Sequence, residues 1–466
     1  MRAFYFDAKG NFCVKWIALA IGLAAIMPLS GWLRRNPRET PKVWMLMGFM
    51  PFGMSAFHLY MAVISWAGWP GHVQGAEISY LDLLAIALYL SLPRNEHEVP
   101  FRLSMALYFI AVVASAIQAS VSEAALFYAW QLARMFLIFA VVTKASADER
   151  VPRAILTGMA IGLCFEACET VWERFGLGIL QATGTMGHQN FLGLLSHFVT
   201  FPWFSLLLAG ERGWLPIVVP IAGVVVAVLT VSRATIGLEA IGYVSLFSLS
   251  AIRRWTARKA RVMALGVVAI ALMVPLVASS LTTRFDEQKS SGGYDERAAF
   301  IRAATMMISD HPFGVGANNY VVVANTGGYN NRAEVAAVLG SDSANVHNIY
   351  YLVTAETGYI GLVTFILMLM QPLIVAFRCG WNSRGDTRGD LLLGLGMSLF
   401  IVYIHAYFEW IFITFTAQYM LALEIGMVAG LANQLGYWRT FRVAQPVIMN
   451  SPVAHPAPAT RNQMQP

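Results

Sequence analysis

The chain alternates long apolar runs with short polar joints. Runs over 16–32, 43–69, 78–92, 103–119, 124–143, 154–172, 190–209, 214–231, 234–251, 262–281, 353–377, 391–409 and 411–433 make thirteen candidate spans. Crossing hydrocarbon takes a helix of ~20 residues, and lipid admits helices because they satisfy their own backbone groups. The run 78–92 is short and contains Asp82, and 43–69 is interrupted by Pro51 and Gly53, so about twelve true crossings are expected. The pattern predicts an all-α polytopic integral membrane protein.

One region breaks the alternation. From Leu281 to His347 the sequence is polar and rich in Gly and Asn, carries Arg284, Arg297, Arg302 and Arg332, and closes on Asn345-Val346-His347-Asn348. This divides the chain into 1–281, a set of about ten membrane helices; 282–348, a large extramembrane segment with short helices; 349–438, the C-terminal membrane helices; and 439–466, a Pro-, Ala-, Gln- and Asn-rich tail expected to be disordered.

Composition agrees with the pattern. Of 466 residues 57% are hydrophobic and 12% charged, with a mean hydropathy of +0.58, against about 25% charged residues in soluble domains. The net charge of +6 is no nucleic-acid footprint, because the basic residues lie in short clusters between apolar runs. Arg34, Arg35, Arg38 and Lys42, then Arg253, Arg254, Arg258, Lys259 and Arg261, then Arg378, Arg384 and Arg388 follow the positive-inside rule and mark cytoplasmic joints. The segment 282–347 lies between the second and third clusters, one span from each, and therefore on the outer face. Gly184–Asn190 and Ser232-Arg233 fall on that face by the same reasoning. The run 16–32 lacks a small-residue cleavage site and leads directly into basic residues, so it reads as a span, not a cleaved signal. Cys13, Cys164, Cys168 and Cys379 are scattered and suggest neither a disulfide framework nor a zinc site.

Several outer-face residues have chemistry to offer. Arg233 stands at a tight junction between two spans, where it is either an interface anchor or a fork for phosphate oxygens. Arg297, in Asp295-Glu296-Arg297-Ala298-Ala299-Phe300-Ile301, belongs to a short amphipathic helix on the outer surface; it either pairs with Asp295 or Glu296 or faces a ligand. Arg284 follows its span and could serve as an anchor. His347, where the polar segment re-enters apolar sequence, suits proton transfer near neutrality or else caps the helix starting at Ile349. Asn190, in Gly184-Thr185-Met186-Gly187-His188-Gln189-Asn190, either fixes a ligand or caps its helix. The turn His311-Pro312-Phe313-Gly314-Val315-Gly316 could bring backbone N–H groups to an anion. Arg134, Glu166, Glu169, His197, Glu239, His405, Glu409 and Glu424 lie within apolar runs; internal ion pairs are expected for them, not a proton relay, since no acidic ladder repeats.

In order along the chain, the Gly184–Asn190 turn, Ser232-Arg233, the His-Pro-x-Gly-x-Gly turn at 311–316, and His347-Asn348 followed by Glu356-Thr357-Gly358-Tyr359-Ile360-Gly361-Leu362 resemble the O-antigen ligase and polymerase superfamily of bacterial membrane glycosyltransferases. The resemblance is close over roughly 180–375 and general elsewhere. It implies catalytic roles for Arg233, Arg297 and His347, with Arg284, Asn190, Asn348, His188 and Arg302 as substrate-binding candidates. It also implies transfer of a polysaccharide from undecaprenyl pyrophosphate to lipid A–core at the periplasmic face of the inner membrane. Membrane lipids are the remaining partners, and no metal, cofactor or nucleic acid is expected. Within the superfamily, a polymerase would use a second lipid-linked glycan as acceptor and a pilin O-oligosaccharyltransferase a protein hydroxyl. The single large outer segment and the Ser-Arg-Ala-Thr and Val-His-Asn contexts favour the ligase. A transporter of lipid-linked sugars would call for an internal repeat and midplane polar groups.

Overall fold

The computed structural model describes residues 10–93, 99–268, 271, 296–336 and 344–438. Its helices are α1 (Gly10–Arg35), α2 (Thr40–Ala56), α3 (Tyr80–Ser91), α4 (Arg102–Ser115), α5 (Ser122–Ala145), α6 (Arg150–Val171), α7 (Gln189–Ala209), α8 (Leu215–Leu229) and α9 (Arg233–Arg253). The polar segment contributes α10 (Glu296–Asp310), α11 (Tyr320–Thr326) and α12 (Tyr329–Arg332), and the chain returns through α13 (Ile349–Asn382), α14 (Thr387–His405) and α15 (Phe415–Gln434).

Among the described residues, eight helices are long and apolar enough to cross a membrane: α1, α5, α6 extended through Gly176, α7, α9, α13, α14 and α15. Three shorter apolar helices, α3, α4 and α8, accompany them. This is a multi-pass membrane protein, although helix length and composition do not reach the expected twelve crossings. The run 262–281 lies mostly outside the described residues. The run 43–69 is not one span: α2 ends at Ala56, His58 takes a left-handed φ of 49°, and the remainder forms a strand. That strand, β1 (Tyr60–Ser65), pairs antiparallel with β2 (Gly75–Ser79) from Tyr60 opposite Ser79 to Ser65 opposite Gly75, an exception to the all-α expectation. Asn318 holds the hairpin's loop, accepting from Val73 N at 3.0 Å and donating to Val73 O at 2.8 Å.

The core lies along α5, α7, α14 and α15, where α15 is buried over nearly its whole length. Close approach there depends on small residues: a Cβ on Gly158 would sit 1.8 Å from Met45 O, and one on Gly193 2.0 Å from Thr235 Oγ1. Burying charge in such a core costs several kcal/mol per ion unless it is paired. Arg134 meets Asp82 at 2.8 Å, and Tyr419 donates to the same carboxylate at 2.7 Å. His197 Nδ1 lies 2.7 Å from Glu239 Oε2, a hydrogen bond between two buried polar side chains. Glu166 and Glu424 differ, taking hydrogen bonds from Thr185 and Ser398 instead of ionic partners.

Helix directions order the two faces. α7, α9 and the connection before α13 begin at the face bearing residues 188, 233 and 347. The basic joints gather at the other ends, where Arg253 bonds Asp390 at 2.6 Å and Arg388 bonds Glu149 at 2.8 Å. The basic clusters and the polar segment thus occupy opposite faces. α10 lies on the latter as an amphipathic helix, burying Ala299, Phe300, Ala303, Ala304, Met307 and Ile308.

Candidate active site

Two glycine-containing turns shape the floor of the site. In the first, Gly184 and Gly187 take φ of 55° and 73°, values that cost a glycine little. The N–H groups that open the turn are taken: Glu173 accepts from Thr183 N at 2.7 Å and Gly184 N at 2.8 Å, and Glu166 accepts from Thr185 N at 2.9 Å. Two carboxylates from the end of α6 and its continuation thereby set where His188 and Asn190 stand. The 311–316 turn is likewise occupied. Val315 N donates to Ala355 O at 2.9 Å and Gly316 N to Glu356 O at 2.8 Å, while Glu356 Oε1 accepts from Tyr320 N at the start of α11. The suggested approach of these N–H groups to an anion is therefore corrected: they dock the turn onto the Glu356-Thr357-Gly358 stretch. Gly358, at φ 70°, admits no Cβ, which would lie 2.5 Å from Phe313 C.

Above this floor a single carboxylate gathers the candidates. Glu409, fully buried between α14 and α15, accepts from Arg297 Nη2 at 2.7 Å on Oε1, where Asn190 Nδ2 also donates. Its Oε2 meets His347 Nδ1 at 3.1 Å. Facing an ionised carboxylate, which can only accept, His347 donates from Nδ1 and turns Nε2 away from Glu409. His347 is 25% and Arg297 47% exposed, while Glu409 is 1% exposed. The two side chains are partly exposed and the carboxylate they share is not. Phe300, one turn along α10 from Arg297, lies beside the His347 ring with centroids 6.1 Å apart.

Neighbouring residues take defined places. His188 Nδ1 accepts from Asn190 N at 3.2 Å and caps α7, which frees the Asn190 side chain for Glu409. Burial pulls the His188 pKa below its ordinary 6.5; the Glu409 charge opposes this, and His347 and Arg297 add to it, placing His188 within the electrostatic reach of the cluster. Arg233 is exposed at the first turn of α9, with Ser232 Oγ capping that helix by accepting from Thr235 N at 3.2 Å. Since Gly193 packs against Thr235, Arg233 and Asn190 sit at about the same level of adjacent, parallel helices.

Other candidates are placed elsewhere. Asn348, not His347, caps α13: its Oδ1 accepts from Tyr350 N at 2.9 Å and Tyr351 N at 3.2 Å, and the residue is fully buried. Its side-chain carbonyl oxygen therefore serves the start of α13. Arg302 donates to Ala333 O at 3.0 Å, tying α10 to the end of α12, and is not among the groups gathered on Glu409. Arg284 lies outside the described residues. Arg297 pairs with Glu409, 112 positions away; Asp295, its nearer candidate partner, lies outside the described residues. The residue that sequence reasoning undervalued is Glu409 itself, taken as one more intramembrane acid. Its one signal was position: a carboxylate at the end of an apolar run, on the same predicted face as His347. Among the described residues, no group of three or more His, Cys, Asp or Glu side chains has a metal-binding arrangement.

Residues 216–366 match the family model described as O-antigen ligase. The matched stretch contains Arg233, Arg297 and His347, begins after Asn190 and ends before Glu409. No curated protein shows a match to the chain.

Proposed function

As a member of the O-antigen ligase and polymerase family, the chain is, we propose, a membrane glycosyltransferase that moves an O-antigen polysaccharide from undecaprenyl pyrophosphate to lipid A–core. The observation carrying this reading is the convergence on Glu409 of Arg297, His347 and Asn190, which lie 112, 62 and 219 positions from it.

The residues gathered on Glu409 support an inverting transfer. An acceptor hydroxyl attacks the anomeric carbon, and its proton passes to His347 Nε2. Such general-base catalysis is worth about 10²–10⁴-fold. The bond from the anomeric carbon to the pyrophosphate breaks, and its electron pair leaves on the phosphate oxygen. Arg297, held at one end by Glu409 and 47% exposed, together with Arg233 at the head of α9, would meet that growing charge. Donors fixed in advance at a developing anion make the largest electrostatic contribution. Attack opposite the leaving group inverts the anomeric configuration. The activated donor supplies the driving force. By the positive-inside rule the site lies on the periplasmic side of the inner membrane.

Incubating the purified protein with undecaprenyl-pyrophosphate glycan and lipid A–core tests this directly. A shifted lipid A–core band is expected. Lengthening of the carrier-bound glycan would make the protein a polymerase of the same family, and neither product would favour a transporter. His347→Ala and Arg233→Ala should abolish transfer while leaving membrane insertion intact.

A further inference from the structure

Below the site lies a second polar cluster that the proposed chemistry does not use. His197 on α7 is hydrogen-bonded on both ring nitrogens: Nδ1 to Glu239 Oε2 of α9 at 2.7 Å, and Nε2 to His405 Nδ1 of α14 at 3.1 Å. His197 and His405 are fully buried and Glu239 is 3% exposed. Replacing buried polar pairs of this kind with apolar side chains is often neutral or stabilising, so the cluster is poorly explained as a source of stability.

Its position suggests another role. The three elements it joins are those that carry the site. Asn190 lies seven residues before His197 on α7 and Arg233 six before Glu239 on α9, about 9–11 Å along each helix at 1.5 Å per residue. Glu409 follows His405 by one turn's worth of chain, and Ile349 N donates to Ala406 O at 3.0 Å, tying the residues after His347 to the end of α14. His405 also lies within the electrostatic reach of Arg297. Around the cluster the helices touch through glycines: a Cβ on Gly223 would lie 2.2 Å from Thr200 Oγ1 and 3.0 Å from Glu239 Oε1, and one on Gly242 2.2 Å from the Phe201 ring. Contacts this close carry a shift of one helix to the next. The hydrogen bonds of 2.7 and 3.1 Å add directional fixed points among the three helices to that packing.

We propose that Glu239, His197 and His405 form a positioning bracket that sets the relative height of α7, α9 and α14, and with it the aim of His347 through Glu409. The inference rests on the transferase reading above. None of the three touches substrate. They act through Glu409 and the Ala406–Ile349 link, so loosening them lowers turnover more than binding. A misplacement of about 1 Å at a reacting group costs on the order of 10²-fold.

The test measures kcat and KM for donor and acceptor with the full-length protein in the ligation assay, per folded molecule as judged by size exclusion and thermal melting. His197→Phe, which keeps the ring stack on Phe201 but loses both hydrogen bonds, should lower kcat about 10²-fold with both KM values within a few-fold of wild type. His197→Gln can still bond on two sides and should recover most of that loss. Glu239→Gln keeps the shape and weakens one link, and should lower kcat by roughly 10-fold; it decides the matter if His197→Phe does not fold. Wild-type kcat in folded His197→Phe, equal impairment in Phe and Gln, or a rise in KM in place of a fall in kcat overturns the bracket. So does wild-type kcat in Glu239→Gln. His347→Ala is the control: if it retains full ligation, the transferase reading fails; if it is inactive while the bracket variants are normal, only the bracket fails.

Discussion

Glu409→Gln is the sharpest perturbation of the site. Oε1 receives Arg297 and Asn190, and Oε2 faces His347 Nδ1. The amide NH2 cannot sit at Oε1, where it would oppose two donors, so it takes the Oε2 position and points a donor at His347. The imidazole then gains by moving its proton to Nε2 and accepting on Nδ1. The nitrogen meant to take the acceptor's proton now carries one of its own. Losing the charge-assisted bond alone is worth about 1.5–3 kcal/mol, or ~10–10²-fold at 1.36 kcal/mol per decade. In the serine-protease triad, the corresponding exchange behind a histidine costs about 10⁴-fold by the wrong-tautomer route. For Glu409→Gln, kcat for transfer to lipid A–core should fall by about 10²–10⁴-fold. The KM for the polyprenyl-linked donor should stay the same or drop, since Arg297 loses its counter-charge and not its place. The readout is initial-rate ligation with purified protein in detergent or nanodiscs. Turnover within about threefold of wild type would refute the idea that Glu409 fixes the proton on Nδ1.

Other expectations concern the frame. His72 is half-buried in the hairpin loop with both ring nitrogens shielded from solvent, and that burial depresses its pKa from 6.5 to about 3. Above pH 6.5 it is neutral both folded and unfolded; below that only the unfolded chain takes the proton, so stability should fall by ~1.4 kcal/mol per pH unit until about pH 3. Thermal melting across this range should show the slope, and His72→Phe should flatten it. Asn348→Ala removes the α13 cap and should cost about 1 kcal/mol, read as a lower melting temperature. Gly358→Ala meets both a φ of 70° and a Cβ 2.5 Å from Phe313 C, so a loss of about 1–3 kcal/mol is expected in the same measurement. Asp82→Ala leaves the buried Arg134 only the Glu77 carboxylate at 3.9 Å and should cost about 3 kcal/mol, visible as poor recovery of folded protein.

The membrane character, the spans near 124–143, 154–172, 190–209 and 391–409, and the surface helix carrying Arg297 were all legible in the chain. Each is written in consecutive residues, where composition and period suffice. The hairpin within 43–79 was not, because a run of Tyr, Met, Ala, Val and Ile suits a strand or a helix until Asn318, more than two hundred residues on, binds its loop. The two glycine turns were visible as motifs, but the partners of their N–H groups were not. Asn348 shows the same limit: next to His347 it looked like part of the chemistry, and the start of α13 uses it as a cap.

By itself the sequence determined that the chain lives in lipid, which face is basic, and that arginines and a histidine collect on the other, because hydropathy and charge act residue by residue. Tertiary structure decided which of them meet. Glu409 draws Asn190, Arg297 and His347 together because a carboxylate buried among helices must be satisfied by donors wherever the packing brings them, and that packing depends on contacts between segments hundreds of residues apart. Local pattern carries no record of such distances.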